Sequence, residues 1–391
     1  MTSPGNGRCL LVYRSPIVSE SRLLRMAGAM SRSGLFDECD IVGCAAEGLP
    51  GEERLDPDTL VVRLGQPRRR RGLVTDLVAS ARWSSEVLKR YRGTQLAAVC
   101  AHSVAALPLC WLLARLHGCV LVYNPHELES RTPAMAGVRG RVAQLIERVF
   151  IGRADVVSTV NESIADWYAG SYPIQRPISV RNVPVPGPGT VRLRSSIGVS
   201  EEDFLYVHTG HLVGGRNIPL ILRTFEELPE SSSAHVVFVG GGPLEDDVQA
   251  AASRSRRIHR LPPVPPTSVV DLVRQADAAF SLIDLSSDSY RYSSPNKMFE
   301  ALMASVPPVC SDLIEARKVL GPEADHWVLG APQSELGPLV ERTTRDDVLR
   351  FRSRVPALGS WEDEVAPLVE RVHVAIHERS DHRRLTRVTG R

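Results

Sequence analysis

Short apolar runs rich in β-branched residues alternate with helical patterns along nearly the whole chain, and this alternation restricts the possible folds more than any other feature of the sequence. In the first half the runs are CLLVY (9–13), DIVGC (40–44), LAAVCAH (96–102), CVLVYN (119–124) and DVVSTV (155–160). Strands that are apolar on both faces and separated by helices indicate a parallel sheet covered on both sides. The first half therefore predicts a doubly wound α/β domain.

The alternation stops in a stretch rich in proline and glycine, RNVPVPGPGTVR (181–192), which predicts a linker. It then begins again with FLYVHTG (204–210), AHVVFVG (234–240), RIHRL (257–261), AAFSLI (278–283) and PPVCS (307–311). We therefore expect two Rossmann-like domains over residues 1–184 and 185–356, followed by residues 357–391. Ligands of open α/β sheets bind at the carboxyl ends of the strands, so a central cleft faced by both domains is the expected site.

The composition agrees with a soluble two-domain protein. A chain of 391 residues exceeds what one core usually organises, and 43% hydrophobic with 24% charged residues is ordinary for a globular protein. The sequence contains no apolar run long enough to span a bilayer and begins without a secretory pattern, so a cytoplasmic location is expected. A net charge of +2 argues against a nucleic-acid partner. The seven cysteines lack zinc-ligand spacing, which predicts reduced core thiols.

A basic run, Arg68–Arg71, precedes a helix-like segment that contains the apolar residues Leu77, Val78 and Val87. Peripheral contact with an anionic membrane surface is one interpretation of this segment. A solvated loop that leads into an ordinary packed helix is the other.

The stretch SSPNKMFEALMAS (293–305) predicts a helix whose first turn carries a cation. Ser294 suits the N-cap and Pro295 the first helical position, which puts Lys297 in the first turn. A lysine there opposes the helix dipole, so the arrangement favours an external anion at this helix end. The N–H groups of Asn296 and Lys297, together with the ammonium, would form a compact diphosphate site.

Glu300 shares a helix face with Lys297, three residues away. Its carboxylate could accept hydrogen bonds from vicinal hydroxyls such as those of a ribose. A local lysine–glutamate ion pair on a solvated helix is the alternative interpretation.

A glycine-rich stretch, HTGHLVGGRN (208–217), follows a predicted strand and precedes a predicted helix. Glycines at a sheet's carboxyl edge let the backbone approach a ligand, and Arg216 could bind phosphate at two points. The glycines in question are Gly210, Gly214 and Gly215. A plain turn is the alternative here, and it is the preferred interpretation of FVGGGP (238–243) taken alone.

The stretch VYNPHELES (122–130) ends a buried strand with His126 and Glu127 at its carboxyl edge. A histidine there lies where a cleft residue should, and a purely structural histidine is the alternative. Glu127 and Glu129 are candidate acid or base groups. The sequence shows neither a Ser-His-Asp pattern nor a metal-ligand cluster.

Together these stretches resemble the retaining family 4 glycosyltransferases of the GT-B fold over nearly the whole chain. YNPHEL, IERVFIGRADVVSTVNESIADWYA and VRNVP are similar to the acceptor domain of that family. HTGHLVGGRNIPLIL and VVFVGGGPLEDDV are similar to its nucleotide-sugar domain, and DSYRYSSPNKMFEALMASVPPV to its donor signature, in the subgroup with Pro-Asn-Lys before the glutamate. SWEDEVAPLVERV (360–372) resembles the terminal helix that crosses back to the first domain.

The resemblance implies roles for individual residues. Arg216 and Lys297 would neutralise the donor diphosphate, and Glu300 would hold the ribose. His126 would lie near the transferred sugar and complete the catalytic set. The implied donor-binding residues are Gly210, Gly214, Gly215, Arg216, Gly241, Ser294, Asn296, Lys297 and Glu300, and the implied sugar or acceptor contacts are Glu127, Tyr292 and Arg14.

Several positions depart from the family pattern. Tyr292 stands where a second glutamate often contacts the sugar, and Arg216 replaces the usual lysine of the first phosphate loop. Asn124 replaces an aspartate that often precedes the cleft histidine, and Ser305 replaces a glycine common after the signature helix. The tyrosine bears most directly on which sugar is transferred.

The predicted function is transfer of a sugar, of hexosyltransferase type, from a nucleotide-diphosphate sugar to an acceptor hydroxyl with retention at the anomeric carbon. A UDP-sugar is the favoured donor, and no metal or other cofactor is expected. The acceptor would be a small molecule or lipid-linked, in natural-product, glycolipid or cell-envelope glycan biosynthesis. Two alternatives stay open, a sugar-nucleotide epimerase of the same fold and a non-catalytic glycosyltransferase-like partner protein.

Overall fold

The computed structural model describes residues 7–18, 20–66, 73–187, 192–354 and 358–389. The chain divides into two compact units. Unit 1 comprises Met1–Val180 and Glu362–Arg391, and unit 2 comprises Arg181–Trp361. The basic run Arg68–Arg71 lies outside the described residues.

In its described residues, unit 1 contains one sheet of eight strands in the order β3-β4-β2-β1-β5-β6-β7-β8. Every neighbouring pair is parallel except β3 with β4. Without the edge strands β3 and β8, this is the strand order of a Rossmann fold, whose switch point lies between β1 and β5. The strands are β1 (Arg8–Val12), β2 (Glu38–Cys44), β3 (Glu52–Asp56), β4 (Thr59–Leu64), β5 (Leu96–Ala101), β6 (Val120–Tyr123), β7 (Val156–Thr159) and β8 (Ile178–Ser179).

Helices cover this sheet because each carries a stripe of apolar residues that must be buried. Local capping signals set several of their ends. The side chain of Asn161 accepts a hydrogen bond from the Ile164 N–H (2.7 Å) at the start of α5, and Gly118 ends α3 in a left-handed conformation. The helices before the linker are α1 (Ser21–Arg32), α2 (Leu73–Arg90), α3 (Leu107–His117), α4 (Val138–Phe150) and α5 (Glu162–Ser171).

Unit 2 repeats the same topology. The described residues form a sheet of six parallel strands in the order β11-β10-β9-β12-β13-β14, with its switch point between β9 and β12. Side chains alternate between faces, so Tyr206 packs with Phe280 on one face while Leu205 and Val207 line the other. The strands are β9 (Phe204–Thr209), β10 (Ala234–Val239), β11 (Ile258–Leu261), β12 (Ala278–Ser281), β13 (Pro308–Ser311) and β14 (Val328–Leu329).

Helices pack on both faces of this second sheet and enclose two apolar cores. They are α6 (Leu193–Ile197), α7 (Ile218–Glu227), α8 (Glu245–Arg254), α9 (Val269–Val273), α10 (Asp288–Arg291), α11 (Asn296–Met303), α12 (Ile314–Leu320), α13 (Ala324–Trp327), α14 (Pro332–Arg342) and α15 (Arg345–Arg354).

The last helix, α16 (Trp361–Thr389), groups with unit 1 from Glu362 onwards. Arg379 attaches it there by donating four hydrogen bonds of 2.8–3.1 Å to the carboxylate of Asp155. The same carboxylate accepts the Leu121 N–H of β6 (2.7 Å), so the ion pair joins the helix to the sheet.

The predicted two Rossmann-like folds are confirmed, with local differences. The hairpin β3–β4 was not predicted: β3 is polar and exposed and gives no apolar signal, whereas the apolar and mostly buried β4 was overlooked. In α2, Val87 is buried as in a packed helix, but Leu77 and Val78 are exposed, so the packed-helix interpretation is wrong for the start of that helix. All seven cysteines lie within the described residues, and all are buried and outside any disulfide, as expected. The described residues include no helix with the length and apolar character needed to cross a bilayer.

Candidate active site

Two glycine-rich loops lie side by side at the carboxyl edge of the unit 2 sheet. The first follows β9 and the second follows β10, and backbone hydrogen bonds join them. The Gly210 N–H donates to the Val239 carbonyl (2.8 Å), and the Leu212 N–H donates to the Gly241 carbonyl (3.0 Å). The loops therefore form one layer of backbone beside the switch point, where ligands of such sheets bind.

Three positions in this layer require or favour glycine. A Cβ on Gly240 would lie 1.9 Å from the Gly210 carbonyl oxygen, so no side chain fits there. Gly210 and Gly215 have φ values of +88° and +78°, which favour glycine. Gly214 has open space around it and shows no such requirement. Sequence reasoning selected Gly241 from the second loop and missed Gly240, where the two backbones approach most closely.

The helix α11 begins at Asn296, one residue later than predicted. Pro295 is the N-cap, with an extended backbone (ψ 134°), and no side chain caps the helix. The prediction of Ser294 as N-cap is therefore wrong. Lys297 does lie in the first turn, beside the N–H groups that a helix start leaves without intrahelical acceptors.

The ammonium of Lys297 points at the first glycine loop. A Cβ on Gly210 would lie 3.5 Å from the Lys297 Nζ, an ordinary contact distance, so the ammonium lies directly beside this loop. Burial and, to a smaller extent, the nearby Arg216 guanidinium together lower the pKa of Lys297 to about 8, while Glu300 opposes the shift. Two neighbouring cations at one loop repel each other, and a bound anion would relieve this repulsion.

Other predicted donor residues of unit 2 have contacts of their own. The Thr209 hydroxyl, at the end of β9, donates to the Glu300 carboxylate (3.2 Å). The Asn182 side-chain amide donates to the Asn296 side-chain oxygen (2.6 Å). Tyr292 lies at the end of the short helix α10, where its N–H donates to the Asp288 carbonyl (3.1 Å).

His208 is an unexpected component of this edge. It is fully buried on β9, and within the described residues neither of its ring nitrogens has a hydrogen-bond partner. Burial lowers its pKa well below the ordinary value, and the charges of Lys297 and Arg216 lower it further. The ring is therefore neutral and adds no third positive charge to the site.

In unit 1, His126 follows β6 and pairs with a second histidine. The Nε2 atom of His126 lies 3.0 Å from the Nδ1 atom of His102, the residue that follows β5. Burial lowers the pKa of His126 to about 3, with a smaller contribution from the Arg22 guanidinium, and burial also keeps His102 neutral. Two neutral rings share one proton in this contact, so one ring donates and the other accepts, and the tautomers of His102 and His126 are linked.

A buried arginine and a buried acid lie near this histidine pair. The Arg22 guanidinium donates to the carbonyl of Val180 (2.7 Å), and burial lowers its pKa to about 9. The Glu129 carboxyl accepts the Val104 N–H (2.7 Å), yet burial raises its pKa to about 8. Glu129 is consequently mostly protonated at neutral pH, unlike an ordinary glutamate.

The loop after β1 contains the predicted contact residue Arg14 and a strained neighbour. Ile17 has a φ of 54°, a region that β-branched residues avoid. The Arg63 side chain holds this loop by donating to the carbonyls of Pro16 (2.7 Å) and Ile17 (2.9 Å). Strain held in place by a buried side chain is typical of functional loops.

The predicted catalytic residues divide between the two units, with Arg216 and Lys297 in unit 2 and His126 in unit 1 beside Glu127. Sequence reasoning missed His102, although it ends a predicted strand and so had to lie at the carboxyl edge. No set of three or more His, Cys, Asp or Glu side chains in the described part of the chain is arranged to hold a metal ion.

Comparison with known proteins identifies part of the chain by sequence. A family model described as a glycosyl transferase 4-like domain matches residues 19–187. That range includes the histidine pair and both of its strands. A search of curated proteins found no match.

Solved structures match almost the entire chain. Sucrose-phosphate synthase from Thermosynechococcus elongatus is 12% identical, with a TM-score of 0.70 over 98% of this chain and 100% of that chain. Anabaena HepE in complex with UDP-glucose is 14% identical, with a TM-score of 0.63 over 96% and 99%. A glycosyltransferase from Rickettsia africae is 10% identical, with a TM-score of 0.62 over 94% and 98%. At such identities the likeness shows a common fold.

Proposed function

We propose that this protein, a glycosyltransferase of the GT-B fold, transfers a sugar from a nucleotide-diphosphate sugar to an acceptor hydroxyl with retention at the anomeric carbon. The observation that carries the proposal is the position of Lys297. Its ammonium, at the start of α11, lies against the backbone of Gly210 beside Arg216, and burial lowers its pKa to about 8. The negative charge of a bound diphosphate would balance these two cations.

The donor would bind along the carboxyl edge of unit 2. Its diphosphate contacts the Lys297 ammonium, the Arg216 guanidinium and the first N–H groups of α11. Its ribose hydroxyls donate to Glu300, whose carboxylate the Thr209 hydroxyl holds in place (3.2 Å). The glycine loops let the backbone come close to the phosphates.

Unit 1 would bind the acceptor and the transferred sugar. His126 is neutral and its Nε2 atom faces His102, so the ring can hold a sugar hydroxyl by hydrogen bonding without adding charge. Glu127, Arg14 and, from unit 2, Tyr292 are the further proposed contacts of sugar or acceptor.

The proposed chemistry needs no covalent intermediate. The bond between the anomeric carbon and the leaving phosphate oxygen breaks, and the acceptor oxygen attacks from the same face. The acceptor proton passes to the departing phosphate, which acts as the base. Lys297 and Arg216 stabilise the charge that develops on the diphosphate, in a role that a metal ion fills in other enzymes.

A UDP-sugar is the favoured donor, since a protein of the same fold, HepE, binds UDP-glucose. The proposed acceptor is a small molecule or lipid-linked, and the product belongs to natural-product, glycolipid or cell-envelope glycan biosynthesis. We place the reaction in the cytoplasm.

The test is release of nucleotide from a panel of UDP- and GDP-sugars, with and without acceptors. Lys297→Met and Glu300→Gln should each lower kcat/KM by about 100-fold or more, as expected for loss of a charge contact in the transition state. Lys318→Met, the same change at an exposed lysine of α12, is the matched control and should leave the rate unchanged.

The outcomes separate the proposal from its rivals. If both site variants kept full turnover, Lys297 and Glu300 would not belong to the active site. A product of inverted anomeric configuration would refute retention. Conversion of the donor to another sugar nucleotide without acceptor would indicate an epimerase. Donor binding with neither transfer nor slow hydrolysis would indicate a non-catalytic partner protein.

A further inference from the structure

The outer face of α4 in unit 1 is apolar where a surface helix is normally polar. Its exposed apolar residues recur at intervals of four, three and four residues, so they lie within about 60° of one side of the helix. We name these residues the α4 stripe; they are Val138, Val142, Leu145 and Val149. The opposite side of the helix, with Gly140, Ala143 and Glu147, is the buried one.

Arginines flank the stripe on both sides. Arg141 and Arg148 lie along one flank and Arg139 along the other, as the helical period requires. Arg139 donates to Asp76 of α2 (3.3 Å), whereas Arg141 and Arg148 form no ion pair within the described residues. The acid of this helix, Glu147, is fully buried and accepts hydrogen bonds from three tyrosine hydroxyls.

Exposed apolar side chains also occur on the neighbouring helices. Leu116 of α3 is exposed, and so are Leu77 and Val78 of α2, next to the Arg139–Asp76 contact. At the other end of the stripe, the Trp111 ring packs on Phe150 (5.2 Å between centroids).

Two more arginines lie at this aromatic end. Arg115 and Arg153 both approach the Trp111 ring, at 5.9 and 5.3 Å from its centroid. They line an open pocket of about 660 Å³ together with Arg379. An indole flanked by guanidinium groups is the combination found where a protein surface meets lipid headgroups.

We propose that the α4 stripe and its arginines dock unit 1 on an anionic lipid surface. The exposed apolar side chains of the stripe would insert between the lipid headgroups and the acyl chains. The flanking guanidinium groups would bind the phosphates of the lipids. A second copy of this chain fits less well, because two such faces would bring arginine against arginine. The exposed part of α3 and α4 offers no carboxylate to balance them. The surface involves none of the proposed donor residues.

The test is sedimentation of the full-length protein with vesicles of phosphatidylcholine alone or of phosphatidylcholine and phosphatidylglycerol in equal parts. The wild-type protein should bind the anionic vesicles and leave the neutral ones largely unbound. The double variant Val142→Ser/Leu145→Ser and the double variant Arg141→Gln/Arg148→Gln should each weaken binding by about tenfold or more. Added salt should weaken the wild type.

The matched control is Leu349→Ser. Leu349 lies on α15 in unit 2 and is 58% exposed, close to the 60% of Leu145, so it tests loss of an exposed leucine as such. This variant should bind anionic vesicles as the wild type does. A second readout needs no variant: anionic vesicles should slow hydrogen exchange in peptides covering Val138–Phe150 of the wild type.

Absence of binding to anionic vesicles, or equal binding by the stripe variants, would overturn the proposal. A wild-type dimer in light scattering that Leu145→Ser converts to monomer, with no vesicle binding, would assign the face to a second copy instead. Because no sugar donor is needed, failure here is independent of the proposed transferase activity.

Discussion

At the scale of single residues, Lys297 shows how much a sequence can disclose about a site. A lysine in the first turn of a helix works against the dipole, and this conflict alone pointed to an external anion. The contact with Gly210 and the lowered pKa of about 8 could not be predicted, since both depend on a loop 87 residues earlier in the chain.

That lowered pKa predicts a pH dependence of donor binding. In the protein without ligand, Lys297 loses its proton near pH 8. Above that value, each rise of one pH unit should weaken the binding of UDP by up to about tenfold. Near pH 7 the lysine is mostly charged, so the affinity there should be close to its maximum. The terminal phosphate of UDP, with a pKa near 6, is already ionised over this range. Calorimetric titration with UDP across the range measures the effect.

Lys297→Arg is the control for this prediction, because a guanidinium stays charged throughout the range. Its affinity for UDP should not fall as the pH rises. An equally steep loss of affinity in this variant would assign the titration to another group, and a level wild-type profile would show that the ammonium does not touch the phosphates.

Two other residues of the site carry little or no signal in the sequence. In the sequence, Thr209 is indistinguishable from any other strand residue. Only the structure shows that its hydroxyl donates to Glu300. His102 gave a positional signal only, as the end of a strand beside the switch point. The pairing of its Nδ1 atom with His126 depends on how two neighbouring strands place their last residues.

At the scale of secondary-structure elements, the end of α11 carries a measurable strain. Ser305 follows the helix with a φ of 59°, which is a left-handed conformation. Its carbonyl also accepts a hydrogen bond from the Arg352 side chain (3.0 Å), which helps hold the backbone there. In the resembled family this position is often glycine. The left-handed backbone angle gives the physical reason for that preference.

Ser305→Gly should therefore stabilise the protein. Relief of the left-handed strain is worth about 1 to 2 kcal/mol, partly offset by the greater freedom of glycine in the unfolded chain. We expect a net gain of about 0.5 to 1 kcal/mol in the free energy of unfolding, measured by urea denaturation. Ser305→Ala keeps the strain and should show no gain. Equal stability of the two variants would mean that the backbone relaxes at no cost.

Burial explains part of the difference between the predicted and the missed strands, although β4 was also missed and is mostly buried. Strands such as β1 and β5 are buried on both faces, so their apolar runs identify them in any context. The edge strand β3 has mostly exposed side chains and the composition of a loop. Its pairing with β4 is made by backbone groups, which leave no trace in the choice of side chains.

At the scale of the whole molecule, one topology occurs twice, and each copy has its own carboxyl edge and switch point. The two copies differ in the side chains placed there. Unit 2 has Arg216 and Lys297 with a neutral His208, and unit 1 has the neutral pair His102 and His126 with a protonated Glu129. The apolar runs were enough to predict that the sheet occurs twice. The division of charge between the two units could be recognised only from the positions of the side chains.

The division predicts that UDP alone, without its sugar, binds through unit 2. Hydrogen exchange in the presence of UDP should slow most in peptides that contain the glycine loops and the start of α11, around residues 209–216, 239–245 and 294–303. Peptides around His126 should change less, since their groups are neutral and offer no site for a diphosphate.

The same titration should raise the melting temperature by mass action, since a ligand at about 100 times its dissociation constant stabilises the state that binds it by about 2.7 kcal/mol. Lys297→Met is the matched variant. It should abolish both the slowed exchange and the thermal shift while its own melting temperature stays near that of the wild type, because burial already disfavours the charged ammonium in the folded protein. If exchange slowed only in unit 1, or if Lys297→Met responded to UDP as the wild type does, the nucleotide would bind elsewhere. The two glycine loops would then not form the donor site.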